Sequence, residues 1–230
     1  MAALELDAPP AARLPAALHR QQLARLSVEG WTRVLQQPWD AEARACLGLW
    51  AERGLPLVVT RQPPSHGDLL ATGLPAPARF GRRRLAVAVA LRDVSFLDEF
   101  PPAAAVTRLL PRRVGATWRA LLAALAANDC AARVYGGYGW QALTRMAYVH
   151  AESDADLLLP VASCAHADAV AQVLAATAWD GPRLDGELLL PDGGAVAWRE
   201  WREHREGRAA QVLVKRLRGV ALETPGARRP

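Results

Sequence analysis

Asp154 and Asp156, in the run Ser153-Asp154-Ala155-Asp156-Leu157-Leu158-Leu159, are the residues whose type and spacing speak most directly of chemistry. Side chains alternate across a strand, so a strand opening here aims both carboxylates at one face. Carboxylates held side by side repel unless a cation lies between them, and hard cations such as Mg²⁺ take oxygen ligands. Upstream, Val134-Tyr135-Gly136-Gly137-Tyr138-Gly139 leaves an apolar strand through a glycine turn. Such a turn lets the backbone approach a phosphate closely. A triphosphate cradle beside paired carboxylates describes phosphoryl or nucleotidyl transfer, in which the protein mainly positions groups and neutralises charge.

Two metal ions about 4 Å apart can activate an attacking oxygen and steady a leaving diphosphate. Asp154 and Asp156 are the expected metal ligands, and a third carboxylate on a neighbouring strand would complete the set and serve as general base. Asp185 and Glu187, which share a strand face, are the favoured candidates, with Glu200 beyond them. Gly136 and Gly137 are expected to meet the phosphates through their amides. Gln141 and Thr144, in the helix expected after the turn, could hydrogen-bond a donor, or serve as cap and surface residues. Arg133 leads the strand into the turn, and Lys215, the single lysine of the chain, ends a later strand. Either cation could hold a phosphate or be a plain surface charge. The histidines show no metal-ligand spacing, and neither a nucleophile elbow nor a Walker-type lysine loop is present.

The elements that must position these residues fall into two halves. The first 50 or so residues read as helical, over 17–26 and 31–50, with strands at 57–60 and 85–91 and a loop over 61–68. Pro111-Arg112-Arg113 reads as a link. A helix follows over 116–127, then strand 133–135, the glycine turn, a short helix, strand 155–159, and helix 165–176. Strands at 187–190 and 195–198, joined by Pro191-Asp192-Gly193-Gly194, form a hairpin, and strand 209–214 precedes a polar tail. The expected fold is α+β: a mixed sheet flanked by helices over 113–230, with an α/β accessory domain over 1–112.

At 230 residues and about half hydrophobic, the chain has material for a substantial core. No apolar run reaches the roughly 20 residues of a membrane span, and the acidic start Met1-Ala2-Ala3-Leu4-Glu5 is unlike a signal peptide. Three dispersed cysteines suggest buried thiols in a reducing cytoplasm. The net charge of +5 fits a solvated surface first and a phosphorylated substrate second. Nucleic acid is not expected, because no line of aromatics interleaves the basic residues.

A glycine turn followed by Asp-x-Asp resembles the nucleotidyltransferase superfamily that includes DNA polymerase beta and the aminoglycoside nucleotidyltransferases. The longer string resembles one family within it, the malonate decarboxylase holo-acyl-carrier-protein synthases, or phosphoribosyl-dephospho-CoA transferases. The residues carrying that resemblance are Tyr135-Gly136-Gly137, Trp140-Gln141-Ala142-Leu143-Thr144, Ser153 to Leu158, Asp185-Gly186-Glu187 and Ala195-Val196-Ala197-Trp198. Gly137 departs from the superfamily's usual serine, leaving backbone amides but no hydroxyl for a phosphate. The resemblance implies triphosphoribosyl-dephospho-CoA as donor and a serine of the apo acyl-carrier subunit of malonate decarboxylase as acceptor, with diphosphate released. A citrate lyase type of acceptor would use the same chemistry. Two other readings stand beside it: an ATP-dependent nucleotidyltransferase acting on a small molecule or protein, and a non-catalytic carrier- or nucleic-acid-binding module.

Overall fold

The computed structural model describes residues 18–64 and 67–225, and shows two sheets, each with its own hydrophobic core. The first sheet comprises β1 (Leu23–Leu26), β2 (Leu57–Val59), β3 (Leu69–Pro75), β4 (Arg84–Ala90) and β5 (Val94–Asp98). It is antiparallel throughout, in the order β4-β3-β2-β1-β5. Helices α1 (Val28–Leu35) and α2 (Ala41–Glu52) cover it. Ser27 accepts from the Gly30 amide and Asp40 from the Ala43 amide, so each helix begins on a side-chain cap. In β4 the sequence Arg-Leu-Ala-Val-Ala-Val-Ala alternates exposed and buried, which puts Leu85, Val87 and Val89 into the core.

Three expectations for this half are corrected. The predicted helix over 17–26 is instead strand β1 at its end; residue 17 lies outside the described residues, as do 65 and 66 of the expected loop. Leu23 and Ala24 are helix formers by propensity, yet β2 and β5 pair with them on both sides, and the pairing decides. The single helix expected over 31–50 is two helices, parted at Gln36–Asp40, where Pro38 lacks an amide hydrogen. Strands β3 and β5 were not foreseen.

The second sheet runs β11-β10-β9-β8-β7-β6. Its strands are β6 (Arg133–Val134), β7 (Ala155–Pro160), β8 (Leu184–Leu189), β9 (Ala195–Ala197), β10 (Val212–Lys215) and β11 (Val220–Glu223). Helices α3 (Gly115–Ala127), α4 (Gly136–Thr144), α5 (Cys164–Ala176) and α6 (Trp198–Arg205) complete it. Only β7 and β8 pair in parallel, and α5 makes the crossover between them. The result is the α+β architecture expected. Trp198, placed in a strand by its sequence, opens α6, because Trp198 and Trp201 at helical spacing both bury against this core. The expected polar tail contains β11, an edge strand with Val220 and Leu222 exposed. Cys46 and Cys130 are buried free thiols, but Cys164 is exposed at the start of α5. No helix among the described residues is long and apolar enough to cross a membrane.

The halves interlock. Helix α4 belongs to the second sheet, yet its Trp140 lies in the first core, with ring centroids 5.5 Å from Phe100 and 6.3 Å from Trp50.

Candidate active site

The glycine turn is the amino end of a helix. Tyr135 occupies the N-cap position of α4 with no side-chain cap, so the first amides of α4 stand open. Gly136 has φ +58, and a methyl group there would overlap the Asp156 carboxylate, whose Cγ lies 2.9 Å from that position. Only glycine lets this carboxylate pack directly on the turn. The Tyr135 amide donates to the Asp156 carbonyl at 3.0 Å, which locks the turn to β7.

The parallel register of β7 and β8 sets Asp156 beside Asp185 and Leu158 beside Glu187. The register needs Gly186 (φ +149), because a side chain there would strike the Leu157 backbone, whose nitrogen is 2.8 Å away. Asp154 precedes β7 and is close enough to act on Asp156 electrostatically. Burial first, then the charges of Asp154, Asp185 and Glu187, push the Asp156 carboxyl up to about 7, with Arg183 opposing. Among the described residues Asp156 has no ion-pair partner. Its neighbours do: Arg183 lies 3.1 Å from Asp185 and 3.8 Å from Asp154, and Lys215 Nζ donates to Glu187 Oε1 at 2.6 Å. The Tyr135 hydroxyl is held protonated, above its ordinary range, by burial and by Glu187, Asp156 and Asp185.

Two cavities meet here. One, of about 600 Å³, lies between the sheets and is lined by Gly136, Gly137, Asp156, Trp140, Tyr148 and the strands β3 and β4. The other, of about 520 Å³, is lined by Arg20, Arg61, Lys215, Glu187 and Val220. Gln21 and Tyr135 line both, so the two spaces adjoin there.

The structure thus gathers Asp154, Asp156, Asp185, Glu187, Gly136, Gly137 and Lys215 into one region. The remaining sequence candidates are engaged elsewhere. Gln141 Oε1 accepts from the Tyr148 and Val149 amides and so shapes the loop before the acidic strand. Thr144 is fully buried at the far end of α4, its hydroxyl donating to the Trp140 carbonyl. Arg133 donates to the Phe100 carbonyl, and Glu200 accepts from the Leu213 amide. Among the described residues no three His, Cys, Asp or Glu side chains form a ready metal cluster. Arg183, Arg20, Gln21 and Tyr148 were missed by sequence reasoning. For Arg183 a signal existed, since 183, 185 and 187 alternate onto one strand face. Arg20 and Gln21 carry none, because the first half brings them in from more than 100 residues away.

Residues 97–225 match the family model described as the phosphoribosyl-dephospho-CoA transferase MdcG C-terminal domain, and residues 19–99 match that of its N-terminal domain. A phosphoribosyl-dephospho-CoA transferase of Xanthomonas euvesicatoria pv. vesicatoria is 40% identical over 177 residues, covering 75% of this chain and 80% of that protein. One from Bradyrhizobium diazoefficiens is 33% identical over 204 residues, 88% of each chain. Another, from Pseudomonas aeruginosa, is 34% identical over 191 residues, covering 77% of this chain and 81% of the relative. No solved structure matches. An uncapped glycine turn packed on a cluster of carboxylates therefore sits inside a sequence matched almost end to end, and the chain belongs to the phosphoribosyl-dephospho-CoA transferase family, a family of transferases.

Proposed function

We propose that this chain transfers the phosphoribosyl-dephospho-CoA group from 2'-(5''-triphosphoribosyl)-3'-dephospho-CoA to a serine of the apo acyl-carrier subunit of malonate decarboxylase, in the cytoplasm and with Mg²⁺. Residues 113–230 carry the chemistry and residues 1–112 act as the accessory domain. The observation that carries this reading is Asp156: a carboxylate sunk among other carboxylates, unpaired, and pressed against an open helix terminus. Such a group is suited to a cation and a phosphate arriving together.

The donor set fits Mg²⁺. It is all oxygen, and Mg²⁺ characteristically takes one or two carboxylates and completes its shell with substrate phosphates and water. Asp154 and Asp156 would hold the ion, which when bound supplies charge neutralisation at the phosphates.

The residues present account for the rest. The amides of Gly136 and Gly137 hold the α-phosphate, and Ser153 Oγ, 3.7 Å from where a side chain at 137 would begin, brings a hydroxyl near the position of the missing serine. The 600 Å³ cavity receives the nucleotide portion of the donor. Asp185, aligned with Asp156 and steadied by Arg183, is the third carboxylate and accepts the serine proton. Glu187, tied to Lys215, is left to structure. The serine oxygen attacks the α-phosphorus. The bond from that phosphorus to the oxygen bridging to the β-phosphorus breaks, and its electron pair departs with diphosphate.

The test is mass spectrometry of apo-carrier incubated with the protein, Mg²⁺ and triphosphoribosyl-dephospho-CoA. A mass gain equal to the phosphoribosyl-dephospho-CoA group, abolished by EDTA, is expected. An unchanged carrier, with donor intact and enzyme folded, overturns the choice of donor and acceptor.

A further inference from the structure

The cavity beside the catalytic one carries two arginines whose backbones are fixed and whose charges are unspent. Arg61 follows β2, and the next residue, Gln62, is buried and anchored on every side. Gln62 donates to the Thr60 and Ala71 carbonyls, accepts from the Ala71 amide, and its own amide donates to the Leu217 carbonyl. Arg20 lies between two further anchors. Its carbonyl meets the His19 ring at 2.6 Å, while that ring also contacts Glu99 at 3.1 Å. On its other side Gln21 has φ 70 and donates its amide to the Val59 carbonyl.

Several arginines near the two sheets are neutralised: Arg25 by Asp98, Arg33 by Asp93, Arg83 by Asp40, Arg216 by Asp192. Among the described residues neither Arg20 nor Arg61 has a carboxylate partner. Lys215 spends its charge on Glu187. The cavity therefore keeps two positive charges in excess, next to the space lined by Asp156 and the glycine turn.

We propose that this cavity holds the two outer phosphates of the donor, so that Arg20 and Arg61 of the first half position the leaving diphosphate of a reaction centred on the second. This rests on the transfer reaction proposed above, in which the α-phosphate stays at Gly136 and Asp156. The β- and γ-phosphates must then extend from that point, and the adjoining space, which shares Gln21 and Tyr135 with the first, offers them Arg20 and Arg61. When the α–β bridging bond breaks, the electron pair and the negative charge collect on diphosphate, and two guanidiniums carried on anchored backbone favour that charge. Arg20 and Arg61 act on the leaving group and are positioning residues; they take no part in proton transfer.

Calorimetric titration of the full chain with inorganic diphosphate and Mg²⁺ tests this directly. Arg61→Ala, an exposed substitution that spares the fold, and Arg20→Ala should each weaken binding about tenfold, as expected for one charge-assisted contact. Arg61→Lys should recover part of the loss. Arg119→Ala, on the exposed face of α3, should bind as the parent does. In the transfer assay the same two variants should raise the donor KM and the diphosphate inhibition constant together, leaving the carrier KM unchanged. Unaltered diphosphate affinity in both variants overturns the proposal. So does a rise confined to the carrier KM, which would make this cavity an acceptor-docking surface. Arginine-dependent diphosphate binding in a protein that fails to modify the carrier upholds the cavity and removes only the choice of donor and acceptor.

Discussion

The two halves each sink an aspartate, and they treat it in opposite ways. Asp93, in the first half, is 3% exposed and faces Arg33, whose Nε donates to it at 2.8 Å. That hydrogen bond holds its carboxyl below the ordinary range against the cost of burial. Asp156, in the second half, is half-buried with carboxylates around it and a glycine turn at its back, and its carboxyl rises to about 7. A buried acid given a cation is part of the architecture. A buried acid denied one is held ready for something that binds. Glu187 repeats the first solution two residues along the strand from Asp185, through Lys215.

Substituting the two aspartates should separate these roles most sharply. Asp156→Asn should reduce carrier modification about a thousandfold or more while circular dichroism stays that of the parent. Asp93→Asn should do the reverse, losing about 1–3 kcal/mol of stability in denaturant titration with kcat unchanged. Normal turnover by Asp156→Asn would break the comparison at its centre.

A smaller separation is expected along β8. Asp185→Asn should lower kcat about a hundredfold, as loss of a general base does. Glu187→Gln should cost about 1–2 kcal/mol, discounted for the partial exposure of Lys215, and leave most activity. If Glu187→Gln proves the more damaging to kcat, the two carboxylates exchange roles.

A last separation is in stability against pH, and its sign differs between the halves. The raised Asp156 pKa stabilises the metal-free fold most below about 3.8, and that contribution is lost as pH rises from there through about 7. The lowered Asp93 pKa works oppositely, contributing above about 3.8 and fading as pH falls further. In EDTA, melting curves of Asp156→Asn should therefore gain on the parent between pH 4 and 8. A constant difference across that range would show that Asp156 titrates normally.

Much of this site could be read from the sequence because its parts are local. The glycines, Asp154, Asp156, Asp185 and Glu187 lie within about 50 residues, on strands whose period-two pattern is plain. What escaped was whatever tertiary contact decides. Leu23–Leu26 has helical composition and becomes a strand because neighbours flank it on both sides. Val220–Glu223 looks like a tail and pairs with β10. The choice between Asp185 and Glu187 depended on the partners of each, Arg183 and Lys215, and the second lies 28 residues from Glu187. The second cavity was invisible for the same reason, since its arginines and its lysine come from opposite ends of the chain.

Trp140 gives the interlocked halves a consequence for ancestry and engineering. The helix that begins at the glycine turn ends its turn-by-turn packing in the other half's core, against Trp50, Phe100 and Tyr148. A gene fragment carrying the carboxylates alone would inherit an indole without its pocket and a turn without its brace. Recombination between relatives should therefore succeed only when both halves come from one parent, or when the residues around this single ring are exchanged as a set.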